Sequence, residues 1–286
     1  MASSTAARLP TLLIIGGAED RVGRAALLRR FVRRAGGRRA RIVIIPTASG
    51  YQDEVVAAYR EVFTRLGVSH LRVVNPASRE AAGDPELVAH LDDATGVFMT
   101  GGSQLRLSQF LPATPAGDAI HRAHARGAVI GGTSAGASIM SEFMISLGEE
   151  GLTPRQRTSQ LSHGLGLLKG VVIDQHFAQR TRYGRLMSVV AVSPNLIGIG
   201  IDEDTAIEVE GGERFTVHGS GGVFVLDCRD AVTDAPEARR GAPLLVSGAV
   251  VHQLPAGATF DLRTTTLDGF TERHPDTLVS TETTKA

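Results

Sequence analysis

The chain has 286 residues, 42% of them hydrophobic, enough for one large α/β domain or two small ones with a substantial core. Thirty acidic residues balance thirty basic ones, which removes the global field that a nucleic-acid, membrane-surface or polyanionic partner would need. Cys228 is the single cysteine, so an intrachain disulfide and a cysteine-based zinc cluster are excluded and a reducing, cytoplasmic setting is expected.

After "MASSTAARLP" the apolar run "LLII" is too short for a signal-peptide core, and no window approaches a membrane span, so a soluble protein is expected. Short β-rich runs then alternate with longer helical ones: "TLLIIGG" with "VGRAALLRRFVRRAG", "RIVIIPTAS" with "QDEVVAAYREVFTRLG", then "LRVVNPAS". "TGVFMTGGSQLRLSQFL" repeats strand, glycine turn and helix, and "GAVIGGTSAGASIMSEFM" predicts the same order again. Alternation of this kind predicts a doubly wound, mostly parallel sheet with helices on both faces. Three of the strands end in Gly-Gly, at Gly16-Gly17, Gly101-Gly102 and Gly131-Gly132, and loops at the carboxyl ends of such strands form the ligand crevice. From "NLIGIGIDEDTAIEVEGGERFTVHGSGGVFVLDC" onward, short strands and tight turns predict an antiparallel C-terminal extension, with Gly211-Gly212 as a hairpin. The expected organisation is a single domain over 1–268 and a polar, mobile tail over 269–286.

Arg29, Arg30, Arg33 and Arg34 oppose Leu27, Leu28, Phe31 and Val32 on one predicted helix. A solvated face is the expectation, because the interleaved aromatic residues of a nucleic-acid patch are missing.

Gly132-Thr133-Ser134-Ala135-Gly136 matches G-x-S-x-G, in which a sharp strand-to-helix turn exposes the serine hydroxyl at the sheet edge. A β-carbon at Gly132 or Gly136 would obstruct the close packing of that turn. Ser134 is therefore the candidate nucleophile, and the N–H of Ala135, first in the helix, a candidate oxyanion donor. The serine needs a base. Of nine histidines, His176 stands out because "GVVIDQHFAQRTRYGRL" is an apolar strand running into a polar cluster at its carboxyl end, the edge where Ser134 is expected. The carboxylate that would orient it is Asp202, Glu203 or Asp204 in "GIGIDEDTA", with Glu149 and Glu150 as rivals. Strand alternation sends Asp202 and Asp204 to one side and Glu203 to the other, without choosing between them.

The segments "GGTSAGAS", "FMTGGSQ", "DQHFAQRTRYGRL" and "GIGIDEDTA", in this order and spacing, resemble the cyanophycinase family, serine hydrolases of the peptidase E group on a glutamine-amidotransferase-like α/β fold. The likeness runs from about Leu12 to Leu254. It implies a Ser134, His176, Glu203 triad, a second oxyanion donor in the Gly101-Gly102 turn, at Gly102, and a substrate pocket formed by Gln104, Asp174, Gln175, Arg180, Arg182 and Arg185. It also implies a homodimer, and cyanophycin or β-linked Asp-Arg peptides as substrate. That polymer carries arginine by isopeptide bonds on a poly-aspartate backbone, and its release product is the β-aspartyl-arginine dipeptide. Arginines suit its carboxylates and Asp174 its guanidinium groups.

Neither metal nor organic cofactor is expected: "GGAEDR" lacks the G-x-G-x-x-G pattern of a dinucleotide loop, and no H-E-x-x-H is present. A peptidase E-like aspartyl dipeptidase and a non-catalytic binding protein are the alternatives; a glutamine amidotransferase would have cysteine where Ser134 stands.

Overall fold

The structure, a computed structural model, describes residues 9–271. Its first half alternates strand and helix: β1 (Thr11–Ile15), α1 (Ala26–Ala35), β2 (Arg41–Ile45), α2 (Gln52–Arg65), β3 (His70–Val73), α3 (Pro85–Asp93), β4 (Gly96–Met99), α4 (Gln104–Phe110), α5 (Pro115–Ala125) and β5 (Val129–Thr133). β1 is buried along its whole length, as a parallel strand covered on both faces must be. Its alternation sorts the core. Leu13 and Ile15 join Phe31 of α1, Tyr59 and Phe63 of α2, and Phe98, whereas Leu12 and Ile14 join Leu91 of α3 and Ile120 of α5 on the opposite face. The aromatic side packs with ring centroids 4.9 Å apart for Tyr59–Phe98 and 5.2 Å for Phe31–Phe98, the offset and edge-on spacing that such rings favour.

After β5 come α6 (Ala135–Ser138), β6 (Ser141–Gly148), β7 (Ser159–His163), β8 (Leu168–Gln175), α7 (Tyr183–Val192) and β9 (Ile197–Ile201). The chain ends in β10 (Thr205–Glu210), β11 (Arg214–Gly219), β12 (Gly222–Asp227), β13 (Val232–Thr233), β14 (Val246–Ser247), β15 (Val250–Pro255), β16 (Ala258–Asp261) and β17 (Thr266–Phe270). These strands form two large sheets. One has nine strands in the order β17-β16-β11-β10-β1-β5-β4-β2-β3, the other six in the order β15-β12-β9-β8-β6-β7; β13 and β14 pair by themselves. In the first, β1, β5, β4, β2 and β3 are parallel neighbours, and β10, β11, β16 and β17 add to the β1 edge antiparallel. The second has β6, β8 and β9 parallel and β12 and β15 antiparallel.

Three expectations change. The antiparallel C-terminal strands do not extend one sheet; they are shared between two, and one apolar cluster, containing Ile14 and Ile130 of the first sheet with Ile173 and Ile199 of the second, fills the space between them. The helix after Ser134 is one turn long, because "SEFMISLG" leaves it as a strand, β6. Gly269 and Phe270 belong to β17 and Thr271 after it donates its N–H to the Gly257 carbonyl at 3.1 Å, so these three are not a tail; the rest of the expected tail, 272–286, lies outside the described residues. The Gly211-Gly212 hairpin is present between β10 and β11, both glycines having positive φ (65° and 77°).

Leu27, Leu28, Phe31 and Val32 are buried beneath α1 as expected, but two of the opposing arginines are not merely solvated. Arg30 lies 3.1 Å from Glu208 and Arg34 contacts both Glu208 and Glu210, while His218 Nε2 is 3.3 Å from Glu208. These ties fasten α1 to β10. Burial works to raise the Glu208 carboxyl, yet the His218 hydrogen bond and the Arg30 and Arg34 charges outweigh it and hold the group below its ordinary 4.5. A depressed folded-state value stabilises the fold above the unfolded-state value and is lost as pH falls through the folded one. The melting temperature should therefore fall more steeply below pH 4.5 in the wild type than in Glu208→Gln, as thermal melts across pH 3–7 will read; parallel curves would contradict this.

Among the described residues no helix is long and apolar enough to cross a membrane.

Candidate active site

β5 delivers Ser134 at the carboxyl edge of the nine-stranded sheet. The serine sits at φ 54°, ψ −115°, its own N–H donating to the Ile15 carbonyl at 3.0 Å. This is an uncommon backbone conformation for a residue with a β-carbon. The turn closes because its glycines leave room: a β-carbon on Gly132 would stand 2.2 Å from the Gly136 carbonyl oxygen, and one on Gly136 2.2 Å from that of Met99. His176, with φ 47°, and Asp204, with φ 45°, share the left-handed conformation. Three residues of this crevice thus hold backbone conformations that residues with a β-carbon seldom adopt.

β8 delivers His176 just beyond Gln175, and the loop after β9 delivers Glu203. His176 Nε2 is 3.0 Å from Ser134 Oγ, and its Nδ1 is 2.6 Å from Glu203 Oε1. With a proton on Nδ1, the imidazole donates to Glu203 and its Nε2 accepts the serine hydroxyl. The neighbouring acids are occupied otherwise. Asp202 accepts the N–H groups of Ala178 and Gly222, each at 3.0 Å, and Asp204 accepts the Asp20 N–H at 3.2 Å and the Ser220 hydroxyl at 2.9 Å. Of the two rivals farther away, Glu150 lies 3.6 Å from Arg182 and Glu149 is exposed.

A second group of expected residues forms a buried cluster beside this one. Asp174, 1% exposed, is gripped by Arg185 through both carboxylate oxygens, with Nε at 2.6 Å from Oδ2, and Arg182 lies 3.5 Å from Oδ1. Arg182 also donates to the Gln175 carbonyl at 2.7 Å and its side-chain oxygen at 3.0 Å, while Gln175 donates to Gln104 at 3.4 Å and Gln104 to the Ile145 carbonyl at 3.0 Å. Burial lowers the Arg182 guanidinium from its ordinary value; the Asp174 charge opposes that and Arg185 adds to it. Arg180 stays outside the cluster, exposed. Gly101 stands against the serine, a β-carbon there being 3.2 Å from Ser134 Cβ, and Gly102 follows with φ 138°.

The sequence reading set aside Gly16-Gly17 once the dinucleotide pattern failed, and so missed its role. The His176 N–H donates to the Gly16 carbonyl at 2.8 Å, the Asp204 N–H to that of Gly17 at 2.8 Å, and the Gly16 N–H to Thr205 at 2.9 Å. The imidazole lies flush on Gly17, where a β-carbon would be 2.3 Å from His176 Cε1, at φ 110°. The usable signal was its place: a Gly-Gly turn at the end of β1, the same edge as Ser134. Gly17→Ala should lower kcat/KM by on the order of 10²-fold or more by pushing the imidazole off Ser134, with far-UV circular dichroism unchanged; undiminished turnover would contradict the packing role.

The description "Peptidase family S51" matches residues 12–217, which contain Ser134, His176 and Glu203 and every residue of the buried cluster. The chain belongs to peptidase family S51. As an S51 member it is an enzyme, a hydrolase of the serine-peptidase type. Proteins named Cyanophycinase from Nostoc sp. and Thermosynechococcus vestitus are 39% and 38% identical to this S51 chain over 254 and 255 residues, 88% of it in both cases and 85% and 79% of their own lengths. One from Geminocystis herdmanii is 36% identical over 256 residues, 89% of this chain and 94% of its own. Among solved structures, a peptidase from an acI-B1 Actinobacterium superposes with TM-score 0.65 at 24% identity, covering 89% of this chain and 98% of its own. A putative peptidase E protein from Listeria monocytogenes reaches 0.52 at 20% identity, covering 74% and 100%. At these identities the two structures speak for a mixed α/β, peptidase E-like fold.

Proposed function

We propose that this S51 peptidase degrades cyanophycin, multi-arginyl poly-aspartate, to β-aspartyl-arginine dipeptides through a Ser134, His176, Glu203 triad. The observation that carries the reaction is the unbroken chain of contacts from Ser134 Oγ to His176 to Glu203, at 3.0 and 2.6 Å; the substrate follows from relatives of that name at 36–39% identity. His176 Nε2 takes the hydroxyl proton as Ser134 Oγ bonds to a backbone aspartyl carbonyl carbon, and Glu203 holds the imidazolium and its tautomer. The oxyanion is received by the N–H of Ala135 and that of Gly102. A helix of one turn adds little dipole, so these two donors act by position. His176 then protonates the leaving amine, the C–N bond breaks, and water, deprotonated by the same histidine, cleaves the acyl-enzyme and restores Ser134.

In this reading Gln104, Gln175 and Arg182 line the substrate pocket, and Arg180 supplies an exposed cation at its mouth for polymer carboxylates. The sequence assigned Asp174 to a substrate guanidinium; since Arg185 already occupies both of its oxygens, its part is to hold Arg182 and Arg185 in place. The reading includes a homodimer in the cytoplasm, with no nucleic-acid or membrane partner, and a glutamine-amidotransferase-like, doubly wound arrangement of the parallel strands within a single domain that takes in β17.

The test is incubation of the purified protein with insoluble cyanophycin, following clearing and the mass of soluble products. Release of β-aspartyl-arginine is the expected result. Cleavage of Asp-X dipeptides without attack on polymer would instead establish an aspartyl dipeptidase.

A further inference from the structure

A recess of about 220 Å³, separate from the glutamine and arginine cluster, also reaches Ser134. Glu19, Arg21, Tyr59, Thr100 and Thr133 line it, and at this size it holds one amino-acid unit and not a drug-sized ligand, which takes about 300–1,000 Å³. Its floor is acidic. Glu19 is 5% exposed; it accepts the Tyr59 hydroxyl on one oxygen and the Thr133 hydroxyl, at 2.5 Å, on the other. No ion pair compensates it among the described residues. A carboxylate offers about four lone-pair sites, so with two hydroxyls bound two sites remain to accept donors from a ligand. The hydroxyl of Thr100, wholly buried on the same recess, has no hydrogen-bond partner among the described residues. At the rim Arg21 is exposed, its guanidinium 5.6 Å from the Tyr59 ring centroid.

The loop carrying both charged residues is fixed. Asp20 accepts the N–H groups of Val22, Gly23 and Ala25 at 3.0, 2.7 and 2.9 Å, and Arg65 donates to the Arg21 carbonyl at 2.5 Å. The recess is therefore pre-formed, acidic within and basic at its mouth, beside the candidate nucleophile.

We propose that this recess is an arginyl subsite: Glu19, helped by the Thr100 hydroxyl, receives the guanidinium, and Arg21 holds the α-carboxylate of the same arginine. The assignment rests on cyanophycin being the substrate. In that polymer the arginine α-amine is consumed by the isopeptide bond, so a cation and an anion at opposite ends of one side chain remain to be read. The fork of guanidinium donors matches a carboxylate with two open sites. The buried acid Asp174 is engaged by Arg185 and Glu203 by His176, Asp202 and Asp204 accept backbone N–H groups, and Glu150 is exposed beside Arg182.

N-acetyl-L-arginine reproduces the acylated α-amine, free carboxylate and guanidinium; N-acetyl-L-citrulline is its near-isostere, keeping the carboxylate but carrying a neutral ureido group in place of the guanidinium. Calorimetric titration of both into the full-length protein and its Glu19→Gln and Arg21→Ala variants, with melting temperatures confirming folding, tests the subsite. The wild type should bind the arginine compound at least tenfold more tightly than the citrulline one. Glu19→Gln should abolish that preference, leaving citrulline affinity within about twofold, and Arg21→Ala, a surface change that spares the core, should weaken both compounds alike. An arginine preference that survives Glu19→Gln, or absence of any preference in the wild type, overturns the proposal. So does Arg21→Ala without effect. The substrate reading fails separately: if cyanophycin is untouched while the arginine preference depends on Glu19, the subsite stands and the polymer assignment falls.

Discussion

Ser134→Ala should lower kcat/KM on cyanophycin by on the order of 10⁴-fold or more while leaving the affinity for polymer within about twofold, as a sedimentation assay with insoluble substrate will read. The hydroxyl removed is the atom that forms the acyl bond, and nothing else in the crevice replaces it. The neighbouring losses should be unequal but not additive. His176→Ala should cost about as much, because Ser134 without a base at 3.0 Å is an ordinary alcohol. Glu203→Gln should cost up to about 10⁴-fold through the wrong imidazole tautomer, and combining it with Ser134→Ala should cost no more than Ser134→Ala alone. Near wild-type turnover by Ser134→Ala would end the nucleophile assignment.

The parts of this site that were legible in the sequence are those set by local geometry. The G-x-S-x-G glycines announce a turn where backbone meets backbone, and the contacts that β-carbons would make at Gly132 and Gly136 show why no other residue fits. The strand alternation expected for Asp202, Glu203 and Asp204 does not apply, because β9 ends at Ile201 and the chain turns at Asp204 with φ 45°; that turn is what sets Glu203 on His176 while the two aspartates serve backbone N–H groups. What remained hidden depended on distant partners. A run such as "GASIM" followed by "SEFM" does not reveal whether a helix continues; β6 forms because β7 and β8 are there to pair with it, and tertiary pairing overrides local propensity. Arg182 and Arg185 read as cations on a helix start, yet Asp174, eleven residues before Arg185, draws both inward. Glu19 and the Gly16-Gly17 turn carry no periodicity at all; only the register of β1 beside β5 brings them to Ser134.

The second large effect should be Asp174→Ala. Its carboxylate is the counter-charge for two guanidiniums that are themselves 6% and 7% exposed, so removing it leaves Arg182 and Arg185 buried beside each other with only Glu150, 3.6 Å from Arg182 and mostly solvated, to compensate. Breaking one partner out of a buried pair costs about 3–5 kcal/mol, and the like-charge contact pushes toward the upper end. The apparent stability in urea should fall by about that amount. Activity should fall further than stability explains, because Arg182 donates to Gln175 on both its carbonyl and its side chain, and Gln175 reaches Gln104: once Arg182 moves, the pocket wall moves with it. Asp174→Asn separates the two consequences. The amide keeps an acceptor for one guanidinium but not the charge, so part of the wall should persist while stability still drops. An Asp174→Ala protein as stable as the wild type, with raised KM alone, would instead mean that the carboxylate meets substrate directly and that Arg185 releases it on binding.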